Sequence, residues 1–135
     1  MIIRENYLKI MIDSKDTEFI KVITGIKRCG KSTLLLMLKD YLLNSGIKED
    51  NIIYMNFESA KFDDIKDYKD LYNYVKERIK NERVYLLLDE VQNVKAFEKA
   101  INSFKVNFDI DIYITGSNAY LLSSELSTLL SGRYI

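Results

Sequence analysis

The stretch ITGIKRCGKST, residues 23–33, carries chemistry in its spacing. Gly25 is followed by four residues and then by Gly30, Lys31 and Ser32, the pattern of a loop that cradles phosphate. Each residue type has its own task. Glycines at 25 and 30 permit the tight turn and let backbone N–H groups approach phosphate oxygens closely. A helix beginning near Lys31 would offer its unpaired N–H groups and positive dipole end to the anion. Lys31 would reach the β- and γ-phosphates, and the Ser32 hydroxyl would ligate Mg2+. Ile26, Lys27, Arg28 and Cys29 complete the loop, and Thr33 lines the α-phosphate through its backbone. Lys27 and Arg28 are read as solvated, or as facing a γ-phosphate or a partner. Cys29 is read as a small loop residue rather than a redox switch. A plain glycine turn before an amphipathic helix would use similar letters. A chance match in a chain of this length, however, has a probability of only about 0.5%.

A second cluster lies in YLLLDEVQ. Its apolar residues carry a strand through a core and deliver Asp89 to the strand's end, where an aspartate can hold magnesium through water. Glu90 follows directly. A carboxylate beside the metal and near the γ-phosphate can orient and polarise an attacking water, which favours hydrolysis over transfer to a bound hydroxyl. The chain has no histidine, so base chemistry must come from a carboxylate. A third cluster is ITGSN. Ser117 or Asn118, ahead of Thr115, is the candidate sensor of the γ-phosphate, although both also suit a turn and helix cap. Asn56, ending IIYMN, is read chiefly as a strand-end asparagine, with a possible hydrogen bond to Glu90 as the sharper alternative.

These clusters need a scaffold that brings strand ends together. Strand-like segments are expected at 19–24, 51–57, 84–89 and 110–115. Helical ones are expected at 4–11, 32–43, about 65–79, a stretch carrying Val94, Phe97, Ile101 and Phe104, and 119–130. Strand–helix alternation with continuously apolar strands predicts a mainly parallel sheet covered on both faces. In such sheets ligands bind at the carboxyl ends of the strands, where all three clusters fall.

The 135 residues suit one domain, with 47% hydrophobic and 30% charged residues. Twenty basic residues balance twenty acidic ones, so no overall field favours nucleic acid or an anionic membrane. A single cysteine, the absence of any long apolar run and a charged N-terminal segment predict a soluble, cytoplasmic protein.

Together, FIKVITGIKRCGKSTLL, YLLLDEVQNV and ITGSNAYLLSSELSTLLSGRYI resemble the prokaryotic AAA-type (AAA-like) ATPase family whose members carry a C-terminal domain of uncharacterised function. The resemblance implies a P-loop NTPase three-layer α/β sandwich binding ATP and Mg2+. Gly25, Gly30, Lys31 and Ser32 would hold phosphate and metal, Asp89 and Glu90 would form the hydrolytic pair, and Ser117 or Asn118 would act as sensor. Arg133 would match a family arginine able to act as a finger on its own or a neighbour's γ-phosphate. The absence of a guanine-specific N-K-x-D motif also points to ATP. Family members continue beyond this length, so residues 1–135 are expected to be an N-terminal ATPase module. The last strand is then expected to be missing and FIKVIT to lie at an open edge, self-associating or covered. A non-hydrolysing switch and, less well, a P-loop kinase are the alternatives.

Overall fold

The computed structural model describes residues 2–17, 19–24, 30–116 and 132–134, with backbone alone at 2–5 and 132–134. Its central layer has five strands: β1 (Ile20–Ile23), β2 (Ile52–Asn56), β3 (Val84–Asp89), β4 (Ile110–Thr115) and β5 (Gly132–Tyr134). They lie in the order β2-β3-β4-β1-β5, and every adjacent pair is parallel. Helices α1 (Ile2–Asp13), α2 (Gly30–Asn44), α3 (Tyr68–Arg78) and α4 (Phe97–Asn107) provide the outer layers.

Alternation along each strand divides the core in two. Val22, Met55, Leu86, Leu88, Ile112 and Ile114 pack with Leu71 and Val75 of α3 and with Phe97, Ile101 and Phe104 of α4. On the opposite face Ile23, Ile52, Tyr85, Leu87 and Tyr113 pack with Met11 of α1 and with Leu34, Leu35, Leu38 and Leu42 of α2. This is why β3 and β4 read as unbroken apolar runs: both faces are buried.

Local chemistry sets several boundaries. Helix α2 stops at Gly46, whose φ of 96° suits a residue without a Cβ. There the Ile47 N–H returns to the Leu42 carbonyl at 3.1 Å. Helix α3 starts at Asp67, whose carboxylate accepts the Lys69 and Asp70 N–H groups while Asp70 answers the Asp67 N–H, a complete capping box. The sequence placed Val94 on the following helix. A short turn at Val91–Asn93 instead precedes α4, which begins at Phe97. The helix expected at 119–130 lies outside the described residues.

One expectation is corrected. Strand β1 is not an open edge, and a last strand is present: β5 pairs with it as Ile20↔Gly132, Lys21↔Arg133 and Val22↔Tyr134. Three residues carry no periodicity to detect, yet their backbone satisfies the outer N–H and C=O groups of β1. The expectation of a covered edge is met in this way.

At the amino end of the sheet an ionic cluster fixes the turn between α1 and β1. Lys21 forms an ion pair with Asp111, both side chains fully buried. Asp111 also accepts the Asp16 N–H at 2.9 Å and the Tyr113 hydroxyl at 3.2 Å. Asp16, at φ 63°, accepts the Tyr85 hydroxyl and Arg83 Nε, each at 2.8 Å. Burial disfavours ionisation of Asp16, but hydrogen bonds from Lys15, Tyr85 and Arg83 outweigh it and hold the carboxyl below its ordinary value. The strand that feeds the phosphate loop is thereby anchored from below.

Candidate phosphate and metal site

The register brings the ends of three strands level. Ile114 of β4 pairs with Leu88 on one side and Val22 on the other, so Asp89 and Thr115 emerge side by side at the carboxyl end. Helix α2 begins there at Gly30, with Lys31 buried in its first turn. A buried cation requires partners. Lys31 Nζ donates to the Gly116 carbonyl and lies 3.8 Å from Glu90 Oε1.

Asp89 is fully buried and collects three hydroxyls. Ser32 and Tyr54 donate to Oδ2, Tyr54 at 3.1 Å, and Thr115 donates to Oδ1. Burial first, and then the charge of Asp89, pushes the Tyr54 hydroxyl above its ordinary 10.0, keeping it a donor. The contact between Ser32 and Asp89 unites the hydroxyl and carboxylate that the sequence assigned to magnesium. No group of three or more His, Cys, Asp or Glu residues that could cage a metal occurs among the described residues. Hard oxygens in this number suit an ion that keeps water and phosphate oxygens among its ligands, as magnesium does.

Glu90 sits at φ 56°, ψ 51°, left-handed geometry uncommon for a residue with a side chain. Its N–H donates to Thr115 Oγ1 at 3.1 Å, and its Oε2 accepts from Gln92 Nε2 at 3.1 Å. Asn56 does not take up the alternative considered for it. Its Oδ1 accepts the Glu58 N–H at 3.0 Å, the strand-end role.

Of the sequence candidates, the structure brings Gly30, Lys31, Ser32, Asp89 and Glu90 together, with Thr33 in the same first turn of α2. Gly25, Ile26, Lys27, Arg28, Cys29, Ser117 and Asn118 lie outside the described residues. The Arg133 backbone lies level with Lys21 in β5. Sequence reasoning missed Tyr54 and Gln92 and set Thr115 behind its neighbours. Their signal was parity. Tyr54, Asp89 and Thr115 each fall two residues after a member of the α2-side core (Ile52, Leu87 and Tyr113), but only the register shows that they meet.

An uncharacterized Haemophilus influenzae protein is 51% identical over 137 residues, covering 100% of this chain and 34% of that protein. An uncharacterized protein of Methanocaldococcus jannaschii is 36% identical over 116 residues, covering 84% of this chain and 24% of its own length. The chain thus spans about a third or less of these relatives. Its fold resembles a DNA polymerase III gamma subunit-related protein of Thermotoga maritima, with TM-score 0.62, 14% identity, and coverage of 98% of this chain and 45% of that one. It also resembles a chain from Drosophila ORC bound to AT-rich DNA and Cdc6, with TM-score 0.60, 11% identity and coverage of 98% and 53%. Residues 17–135, from the turn before β1 through β5, match the AAA domain family, and the chain belongs to that family as an ATPase-like module.

Proposed function

We propose that the chain binds Mg-ATP and hydrolyses it, and that the cycle acts on a further domain or partner. The observation supporting this most directly is the pairing of two neighbouring carboxylates with different surroundings. Asp89 is buried beneath three hydroxyls, while Glu90 lies 3.8 Å from the Lys31 ammonium. Asp89 and Ser32 hold the metal, and Lys31, with the N-terminus of α2, holds phosphate. Glu90 orients water and accepts its proton. Bound Mg-ATP supplies the electrophilic phosphorus and the charge on the leaving group.

In this reading Gly25–Cys29 also bind phosphate, and Ser117 or Asn118 reports the γ-phosphate. Arg133 acts as a finger. The γ-phosphate it serves is its own or a neighbour's, and its backbone is level with Lys21 in β5.

Steady-state phosphate release from Mg-ATP tests the proposal. Glu90→Gln should lower kcat by about 10²–10⁴-fold while ATP still binds. Unchanged turnover in Glu90→Gln would remove Glu90 from the chemistry. A second reading, a nucleotide-ordered switch without turnover, draws on the engagement of Glu90 by Gln92 and Lys31. Tight ATP binding with no phosphate release would favour it.

A further inference from the structure

We propose that Thr115 is the positioning residue that sets the geometry of both carboxylates through one hydroxyl. The inference rests on the hydrolase reading and assigns a device within the same site. Thr115 is fully buried at the end of β4. Its Oγ1 donates its proton to Asp89 Oδ1 and accepts the Glu90 N–H at 3.1 Å. A hydroxyl has one proton to give, and here it goes to the metal-binding carboxylate. The oxygen, in turn, holds the amide of the next residue.

The second bond matters because the Glu90 backbone is left-handed, a conformation that persists only when its surroundings impose it. Without the hydroxyl, Glu90 can relax to an ordinary conformation and carry its carboxylate away from Lys31. Asp89 at the same time loses the donor on Oδ1, while Ser32 and Tyr54 still hold Oδ2. Asp89 and Glu90 therefore respond together to a change at position 115.

The test compares Thr115→Val, which keeps the shape and removes the hydroxyl, with Thr115→Ser, which keeps the hydroxyl and removes a methyl. Three quantities are measured in each: kcat and KM for Mg-ATP, Mn2+ affinity in the presence of a non-hydrolysable ATP analogue by electron paramagnetic resonance, and the melting temperature. Thr115→Val should lower kcat and weaken Mn2+ binding, each by about 10–100-fold, and KM for Mg-ATP should rise with the lost metal affinity. Thr115→Ser should restore both to within about threefold of the parent chain.

Equal losses in Val and Ser would overturn the proposal, because the hydroxyl would then not be the active feature. So would Val with normal kcat and Mn2+ affinity. If Val does not fold, Ser against Thr115→Ala decides by the same criteria. If the parent chain releases no phosphate, the hydrolase reading fails on its own, and the Mn2+ comparison still decides whether Thr115 positions Asp89.

Discussion

The Tyr54 hydroxyl reaches Asp89 from β2 over 3.1 Å, whereas Glu90 is held by Thr115, Gln92 and Lys31, so removing the Tyr54 hydroxyl should separate metal binding from water activation. Tyr54→Phe is expected to raise the Mg2+ concentration for half-maximal turnover by about tenfold, with kcat at saturating Mg2+ nearly unchanged. A fall in saturated kcat would mean that Tyr54 also affects Glu90. Asn56 provides the contrast, since its side chain is spent on the Glu58 N–H. Asn56→Ala should cost about 1 kcal/mol of stability in urea unfolding and leave phosphate release within about twofold. The convergence of Lys31, Ser32, Asp89 and Glu90 was legible in the sequence because motif spacing encodes it. Tyr54, Thr115 and Gln92 were not, because their roles depend on which strands are neighbours and in what register.

Among the elements, α3 carries the clearest local start signal, and the Asp67–Asp70 capping box gives it a measurable worth. Asp67→Ala should destabilise the chain by about 1 kcal/mol, seen as a lower urea midpoint with the slope unchanged. The Lys21–Asp111 pair has a different character. Replacing Asp111 with alanine strands a buried ammonium, at a cost of about 3–5 kcal/mol. Loss of the folded signal at low urea would show it. The strands were legible from their apolar runs, and α2 and α3 from their spacing and from Gly46. The start of α4 was displaced because Val94 is buried on the turn before the helix and so imitates its first apolar position. Strand β5 was expected to be missing because three residues take their identity from the partner they find.

For the whole molecule, alkaline pH exposes the cost of the buried amino-end cluster. Burial first, and then the Asp111 and Asp16 carboxylates respectively, raises the Tyr113 and Tyr85 hydroxyls above 10.0. The folded chain keeps these protons where the unfolded chain has released them, so above pH 10 their linkage lowers stability as pH rises. Lys21 acts oppositely. Burial lowers its value from 10.5 despite Asp111, so the unfolded chain binds more protons in the interval just below 10.5 and stability there gains with pH. Above 10.5 the tyrosines, Tyr54 among them, and Lys15, raised by its hydrogen bond to Asp16, all lower stability as pH rises. Urea midpoints should therefore fall steadily beyond pH 10.5, and phenolate absorbance from Tyr85 and Tyr113 should appear at higher pH in the folded chain than in the unfolded one. A midpoint that is flat to pH 11.5 would contradict this. The strand order has a consequence of another kind, in the timing of synthesis. Strand β1 is made well before both its neighbours: Lys21 pairs with Tyr113 about ninety residues on and with Arg133 later still. At ordinary elongation rates that is a wait of roughly 5–20 s. Throughout it an apolar strand and the loop it leads into have no sheet to join, so the nascent chain should be a chaperone client until β4 emerges. The nucleotide pocket can close only as the last strands arrive.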